Sequence, residues 1–156
     1  MSTEKTWQTQ SASSADTEAL GERMGAVLKG GEVIELVSDL GGGKTTFTRG
    51  LVRGAGSSDH VSSPTFTISR EYTAPKFTIV HFDFYRLTEP GIIADELREF
   101  MGDSNFVVVV EWGDIVQAVL PPNHIVINIH HSPHEGRNIT CQYPSALKYI
   151  FAGDTQ

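Results

Sequence analysis

The sequence predicts an α/β fold: a mixed parallel and antiparallel sheet flanked by helices. Residues 33–54 form an apolar run, a glycine-rich turn and a helical pattern in succession, which is how a parallel strand–helix unit begins. Residues 65–72 and 77–82 are predicted strands separated by a short Ala-Pro-Lys turn, and such a close connection implies antiparallel pairing. Residues 106–110, Phe-Val-Val-Val-Val, give the strongest strand signal in the chain.

A helix near the N-terminus is predicted by apolar residues that recur three or four positions apart. Asp16 or Thr17 can cap its first turn, and the helix should extend to about Lys29 before Gly30-Gly31 ends it. The other predicted elements are apolar runs bounded by turn residues: a first strand at 7–10, a helix containing 95–100, a short helix at 115–120, and late strands at 125–129 and 137–143.

Length and composition indicate one domain spanning residues 1–156, with about 1–8 and 152–156 as flexible ends. The 39% hydrophobic and 20% charged residues are typical of a soluble globular protein. Cys141 is the single cysteine, so no internal disulfide is expected. No apolar run approaches the roughly 18 residues of a membrane span, and the N-terminus lacks the pattern of a signal peptide. We therefore expect a cytoplasmic protein without a membrane partner.

The net charge of −7 comes from 12 basic and 19 acidic residues. Lysine and arginine supply most of the grip on a phosphate backbone, so this balance argues against tight solitary binding of nucleic acid. If the protein serves an RNA pathway, another molecule should hold the RNA, and contact with tRNA would be indirect.

The turn at residues 38–45, Ser-Asp-Leu-Gly-Gly-Gly-Lys-Thr, matches a phosphate-binding P-loop at every position except the first, where Ser38 replaces glycine. Glycines let successive N–H groups face phosphate oxygens, and the following helix N-terminus adds partial positive charge. Lys44 can reach the outer phosphates, and the Thr45 hydroxyl can ligate magnesium. The alternative is a glycine-rich turn with a solvated lysine.

Two acids end apolar strands: Asp83 follows residues 77–82, and Glu111 follows residues 106–110. Ligands of open α/β sheets lie beyond the carboxyl ends of the strands, where the phosphate loop also lies. Acids placed there can hold a magnesium-bound water or orient the attacking water. Solvated acids or helix caps are the alternative for either residue alone.

Three further features leave alternatives open. Trp112 can pack near a nucleotide or simply close the core. Ser63-Pro64-Thr65 can be a nucleotide-sensing switch or only a turn. The cluster His130, His131 and His134 has no cysteine partners and no helical His-Glu-x-x-His spacing, so we interpret it as a polar turn rather than a zinc site.

Several segments, taken in order, resemble the TsaE (YjeE) family, bacterial ATPases of tRNA threonylcarbamoyladenosine synthesis. The order and spacing hold from about residue 9 to residue 140. The matching segments are the entry helix at 16–21, the phosphate loop at 39–50, the switch at 63–67, the acidic strand His-Phe-Asp-Phe-Tyr-Arg-Leu at 81–87, Val-Glu-Trp at 110–112 and Gly-Arg at 136–137.

The resemblance implies a P-loop NTPase-like domain that uses ATP and Mg²⁺. It implies that Thr45 and Glu111 handle the metal and that Asp83 and Trp112 act in ATP turnover. It also implies that the nucleotide is contacted by the segment around Ser14, by the loop and by a late arginine: Leu40, Gly41, Gly42, Gly43, Lys44, Thr45 and Arg137.

The resemblance further implies the TsaB and TsaD proteins as partners, which transfer threonylcarbamoyl to adenosine 37 of tRNAs decoding ANN codons. This chain departs from the family at Ser38, where glycine is usual, and at Gly113, where proline is common. Because Gly41, Gly43, Lys44 and Thr45 are present, the first departure should affect the hydrolysis rate more than nucleotide binding.

The leading hypothesis is therefore a partner-dependent ATP hydrolase, slow alone, with Lys44, Asp83 and Glu111 as its catalytic residues. A small-molecule P-loop kinase is an alternative, although no arginine-rich lid is present in the sequence. A GTPase is disfavoured because no Asn-Lys-x-Asp motif exists. A nucleotide-dependent binding module with incidental hydrolysis is the non-enzyme alternative.

Overall fold

A computed structural model describes residues 4–38, 43–62, 69–85, 87, 89, 91–133 and 135–154. Its strands are β1 (Glu4–Ser11), β2 (Val33–Ser38), β3 (Ser69–Thr73), β4 (Thr78–Asp83), β5 (Phe106–Glu111), β6 (Ile125–His131) and β7 (Arg137–Pro144). Its α-helices are α1 (Ser14–Val27), α2 (Lys44–Gly54) and α3 (Gly91–Phe100), and 3-10 helices occupy Gly113–Val116 and Ser145–Asp154.

The seven strands form one sheet in the order β1-β7-β6-β2-β5-β4-β3. The central strands β6, β2, β5 and β4 pair in parallel, whereas β1–β7, β6–β7 and β3–β4 pair antiparallel. The predicted mixed sheet is therefore confirmed, and β2 lies at its centre. The end of β2, after which the glycine-rich segment follows in the sequence, therefore lies at the middle of the edge where the parallel strands end.

Both faces of the sheet are covered by apolar side chains, because alternate residues of a strand point to opposite faces. On one face, β4 and β5 contribute Ile79, Val107 and Val109 to a core shared with α1, α2 and the C-terminal 3-10 helix. On the other face, their alternate residues pack against α3 and the 3-10 helix at Gly113–Val116. The first of these faces also carries the two acids at the strand ends, Asp83 and Glu111.

Helices α1 and α2 touch through backbone because two glycines on each helix face the other. A Cβ atom on Gly50 would lie 1.9 Å from the Glu18 carbonyl oxygen, and one on Gly21 would lie 2.3 Å from the Phe47 carbonyl oxygen. Gly25 and Gly54 show the same closeness to backbone oxygens of the facing helix. The two helix N-termini are thereby held in fixed relative positions.

Replacing Gly50 by alanine should destabilise the fold by about 2 kcal/mol. Alanine gains up to about 1 kcal/mol of helix propensity. A Cβ atom 1.9 Å from a backbone oxygen forces the two backbones apart, which costs about 3 kcal/mol, the upper end of the usual range for overpacking. Urea unfolding would measure the change, with Glu99→Ala as the control because Glu99 is exposed on α3, away from the contact between α1 and α2. Equal stability of Gly50→Ala and the wild type would contradict this account of the packing.

Several predicted bounds need correction. The cap of α1 is Ser13 rather than Asp16 or Thr17, since the Ser13 side chain accepts a hydrogen bond from the Asp16 N–H at 3.2 Å. Asp16 instead accepts from the Ala12 N–H at 3.0 Å. The short helix expected at 115–120 is a 3-10 helix at Gly113–Val116, and β1 begins at Glu4 rather than residue 7.

The other predicted strands and helices are confirmed within a few residues at each end, apart from residues 65–68 of the predicted third strand, which lie outside the described ranges. The helix expected around 95–100 begins at Gly91. Across the described residues, no helix combines the length and apolar character needed to cross a membrane.

Candidate functional site

The site is built around the N-terminus of α2. Gly43 caps this helix with φ 106° and ψ 14°, a left-handed conformation that favours glycine. A Cβ atom there would meet only ordinary contacts at 3.8 Å and beyond, so the backbone angle rather than space requires glycine. Lys44 and Thr45 are the first helical residues, and the N–H groups of a first turn are available to an anion. Leu40, Gly41 and Gly42 lie outside the described residues.

Lys44 is buried, with a relative exposure of 8%. Its Nζ lies 3.8 Å from Glu111 Oε1 and 4.6 Å from the centre of the Trp112 ring. A cation held between a carboxylate and an aromatic face is unlike a solvated surface lysine. The alternative of a solvated lysine is therefore excluded by the structure.

The two acids at the strand ends lie side by side. Asp83 and Glu111 are Cα partners across the parallel β4–β5 pair, with exposures of 5% and 3%. Alternation from Ile79 and Val109 places both carboxylates on the face of the sheet that α2 covers. Asp83 Oδ1 accepts a hydrogen bond from the Tyr85 N–H at 2.9 Å. The structure thus brings Lys44, Asp83 and Glu111 to one buried location.

Trp112 adjoins this cluster in an unusual backbone conformation. Its φ of 57° is the only positive value among the described non-glycine residues, and such a conformation costs energy that the surroundings must supply. Its ring contacts the half-exposed ring of Tyr85 at a centroid distance of 5.0 Å as well as the Lys44 ammonium. Of the two sequence alternatives, the structure places Trp112 at the phosphate-loop lysine, with one side packed on the core.

A cleft of about 380 Å³ opens at the N-terminus of α2. It joins Ser14 at the start of α1, Gly43 and Thr46 at the start of α2, and Arg137 at the start of β7. The volume falls within the roughly 300–1,000 Å³ typical of small-ligand sites. Three residues that the resemblance implied as nucleotide contacts, Ser14, Gly43 and Arg137, therefore line one cleft.

Local hydrogen bonds fix the walls of this cleft. The Ser11 hydroxyl donates to the Ser13 carbonyl oxygen at 2.7 Å and lies 2.6 Å from the Thr17 hydroxyl. Gly136 has φ 94°, and a Cβ atom on it would lie 2.1 Å from the Ser11 carbonyl oxygen. Glycine at position 136 thus lets the start of β7 approach the entry to α1, which brings Arg137 to the cleft.

The loop before the predicted switch is fastened to β3. The Tyr72 hydroxyl donates to the Ser62 carbonyl oxygen at 3.1 Å, and Asp59 accepts from the Thr73 N–H at 2.7 Å. Burial raises the pKa of Tyr72, which keeps this donor protonated. Ser63-Pro64-Thr65 lies outside the described residues, so the switch remains a prediction.

A polar network lies under the site on the central strand. Buried Glu35 accepts hydrogen bonds from His124 Nε2 at 3.1 Å and from the Gln117 amide at 2.7 Å. The Glu35 contact chiefly raises the pKa of His124, whose other ring nitrogen faces the Pro121 carbonyl oxygen at 2.7 Å. Because both ring nitrogens face acceptors, the network favours the doubly protonated imidazole. By alternation from Val33, Glu35 lies on the face of the sheet opposite α2, so the network fastens β2 from that face.

Sequence reasoning missed three residues of the site. His81 was noted only within a strand motif, yet its Nε2 hydrogen-bonds to Glu111 Oε2 in the buried cluster. Ser13 and Thr46 line the cleft beside the predicted contacts. The available signal for His81 was a single histidine within an otherwise apolar strand. The polar turn expected at the histidine cluster needs correction, because His130 and His131 are the last two residues of β6 and pair with β7. His134 lies outside the described residues.

Comparison with known families gives one match that covers most of the chain. Residues 11–139 match the family model described as Threonylcarbamoyl adenosine biosynthesis protein TsaE. The matched span includes β2, the phosphate loop, both acids and Arg137, which are the elements that build the site.

Two bacterial relatives carry the name tRNA threonylcarbamoyladenosine biosynthesis protein TsaE. The Haemophilus influenzae protein is 40% identical over 112 residues, covering 69% of this chain and 67% of the relative. The Bacillus subtilis protein is 36% identical over 125 residues, covering 80% of this chain and 78% of the relative.

The fold is also similar to a solved structure, the crystal structure of Bacillus subtilis YdiB. The two chains superpose with a TM-score of 0.74 at 30% identity, and the match covers 99% of each. The similarity therefore extends over the sheet, the phosphate-loop helix and the C-terminal segment alike.

Proposed function

Because the chain belongs to the TsaE family of tRNA threonylcarbamoyladenosine biosynthesis proteins, we propose that it is the subunit of that pathway that binds MgATP and hydrolyses it. The observation that carries the proposal is the position of Lys44. Its ammonium lies at the start of α2, between Glu111 and Trp112 and next to a cleft of nucleotide size.

The residues present fit a nucleotide. Gly43 turns the chain into the first turn of α2, whose N–H groups and partial positive charge suit phosphate oxygens. Arg137 and Ser14 line the cleft and offer donors to the rest of the nucleotide. We assign the phosphates to Lys44, Thr45 and the loop residues Leu40, Gly41 and Gly42, and the remainder of the nucleotide to the cleft.

The residues also fit a magnesium ion, which favours oxygen ligands. The Thr45 hydroxyl follows Lys44 at the start of α2, and the Glu111 carboxylate faces Lys44 from β5. When bound, the ion would neutralise phosphate charge and orient the phosphates. We assign Thr45 and Glu111 to the metal, Asp83 to the attacking water, and Trp112 to the wall beside the outer phosphates.

Hydrolysis by the isolated chain should be slow. Phosphoryl transfer depends on positioning and on stabilisation of developing charge. Among the described residues of the buried cluster, Lys44 is the one cation, and it already faces Glu111. We therefore propose that the TsaB and TsaD proteins complete or order the site, with tRNA held by them, as the net charge of −7 on this chain suggests.

The proposal is tested by titrating ATP calorimetrically and by measuring phosphate release with and without TsaB and TsaD. We expect binding by the chain alone, and release that rises by about tenfold or more with the partners. Protein with Glu111→Gln, purified in the same way, controls for contaminating ATPases. Rapid hydrolysis that the partners do not change would contradict partner dependence. Failure of the folded chain to bind ATP would contradict the function itself.

A further inference from the structure

Among the residues that the structure describes, His81 is the one histidine that contacts the buried cluster of Lys44, Asp83 and Glu111. It occupies the middle of β4, where its Cα partner on β5 is Val109, and its side chain is fully buried. Alternation along β4 places His81 on the same face as Ile79 and Asp83, which is the face that α2 covers. The imidazole therefore lies two residues before Asp83 on the same face, further from the edge of the sheet than the two acids.

The two ring nitrogens of His81 have different surroundings. Nε2 is hydrogen-bonded to Glu111 Oε2. Nδ1 is buried and has no hydrogen-bond partner among the described residues. A carboxylate oxygen accepts, so Nε2 must carry the proton of this pair. Leaving Nδ1 as a bare lone pair costs less than burying a second unpaired N–H, which agrees with the same assignment.

A purely structural residue at this position would not need these features. The neighbouring positions on the same face, Ile79 and Val109, are apolar and fully buried. An aliphatic side chain at position 81 would satisfy the packing without leaving a buried nitrogen unpaired, which is unfavourable. The cost of burying Nδ1 without a hydrogen-bond partner is explained if the hydrogen bond from Nε2 to Glu111 is needed for function.

The hydrogen bond from His81 gives the two oxygens of the Glu111 carboxylate different partners. Oε2 is occupied by His81, whereas Oε1 faces the Lys44 ammonium at 3.8 Å. A carboxylate held at one oxygen cannot rotate freely about its terminal bond. The other oxygen is then presented in one direction, toward the start of α2.

We propose that His81 is a positioning residue, which donates from Nε2 to Glu111 and presents the other carboxylate oxygen to the metal. This inference rests on the proposed MgATP function. Hydrogen bonds to the far side of a ligating group fix its orientation, and their loss typically lowers metal affinity or activity by about 10–100-fold. His81 itself touches neither the nucleotide nor the metal in this role.

The test compares His81→Gln with His81→Leu. The glutamine amide N–H ends near the position of Nε2 and can still donate, whereas leucine fills the space without a donor. Electron paramagnetic resonance would measure Mn²⁺ affinity in the complex with a non-hydrolysable ATP analogue, and calorimetry would measure analogue affinity in EDTA. We expect His81→Leu to lose about tenfold in Mn²⁺ affinity and His81→Gln to lose no more than about threefold. Analogue affinity in EDTA should change by less than about twofold in both, because His81 does not face the nucleotide.

A second arm tests whether His81 acts through Glu111. In a Glu111→Gln background, His81→Leu should cause little further loss of Mn²⁺ affinity, because the carboxylate that it orients is gone. If His81→Leu fails to fold, His81→Asn takes its place, since its shorter amide ends near Nδ1 and cannot reach Glu111.

Three results would overturn the positioning role: wild-type Mn²⁺ affinity in His81→Leu, equal losses in the leucine and glutamine variants, or full additivity with Glu111→Gln. These results leave the proposed function standing if the wild type binds analogue and Mn²⁺. Wild-type protein that binds no nucleotide would instead overturn the proposed function and this role together.

Discussion

Replacing Lys44 by alanine should weaken ATP binding by about 30-fold or more. A charged hydrogen bond to phosphate is worth about 1.5–3 kcal/mol, and 1.4 kcal/mol is a factor of ten in affinity. The substitution also removes the cation that lies 3.8 Å from buried Glu111, so like-charge repulsion between the phosphates and this carboxylate would increase. Both effects act in the same direction.

The design must separate lost binding from lost folding, because Lys44 is buried rather than exposed. Lys44→Met keeps a long unbranched side chain in this buried position without the charge, and should show the same loss of affinity in a better-packed protein. Lys76→Ala is the matched control, since Lys76 is exposed in the turn between β3 and β4, at the opposite end of β4 from Asp83. Calorimetric titration measures affinity, and thermal unfolding measures folding. Wild-type affinity in folded Lys44→Met would refute the assignment of the phosphate loop.

The central part of the fold was predictable because its signals are local. An apolar β-branched run and a helical pattern lie on either side of the glycine-rich segment, and both adopt the state that their own pattern indicates, as β2 and α2. The location of Asp83 and Glu111 at the same edge of the sheet was predictable for the same reason. Both acids directly follow strong strand signals, and the carboxyl ends of parallel strands share one edge of the sheet.

Local competition explains the errors in the bounds. Ser13, Asp16 and Thr17 are all good capping residues within five positions, so propensity alone does not choose among them. The Ser11 hydroxyl at the end of β1 donates to the Ser13 carbonyl oxygen and contacts the Thr17 hydroxyl. These contacts from outside the helix favour Ser13 as the cap. The 3-10 helix begins at Gly113 rather than residue 115 because Trp112 turns the chain through a left-handed conformation.

The chemistry of the site depended on contacts that no single segment contains. The burial of Lys44 follows from the placement of β2 beside β5, which brings Glu111 and Trp112 to the start of α2. The contact between His81 and Glu111 joins residues on two strands that are 30 positions apart. Sequence patterns give the type of each strand but not the order of strands in the sheet, so these pairs were not predictable.

Replacing Glu111 by glutamine should lower ATP hydrolysis by about 100-fold or more at saturating ATP, whereas ATP affinity should change by only a few-fold. Glutamine keeps the length of the side chain and an oxygen that can accept from His81 Nε2, so packing is largely retained. What is lost is the negative charge that we assign to the metal and its bound water. Losses of catalytic groups that position or activate water typically cost about 10²–10⁴-fold.

Asp83→Asn is the companion variant. Asparagine retains the oxygen that accepts from the Tyr85 N–H, so the turn after β4 should persist while the charge is removed. We expect a comparable loss of turnover. Glu71→Gln is the control, because it makes the same change from carboxylate to amide at an exposed position of the edge strand β3.

Single-turnover hydrolysis and calorimetric binding, measured on the same preparations, separate the two roles open to each acid. A slow chemical step with near wild-type affinity would assign the acid to catalysis. A large loss of affinity with an unchanged rate at saturation would assign Glu111 to binding, as a partner that holds Lys44 in place for the phosphates. Asp83 and Glu111 lie side by side in the same buried cluster, so both variants remove a charge from the same place. Wild-type behaviour of either variant in both measurements would contradict any role in turnover for that acid.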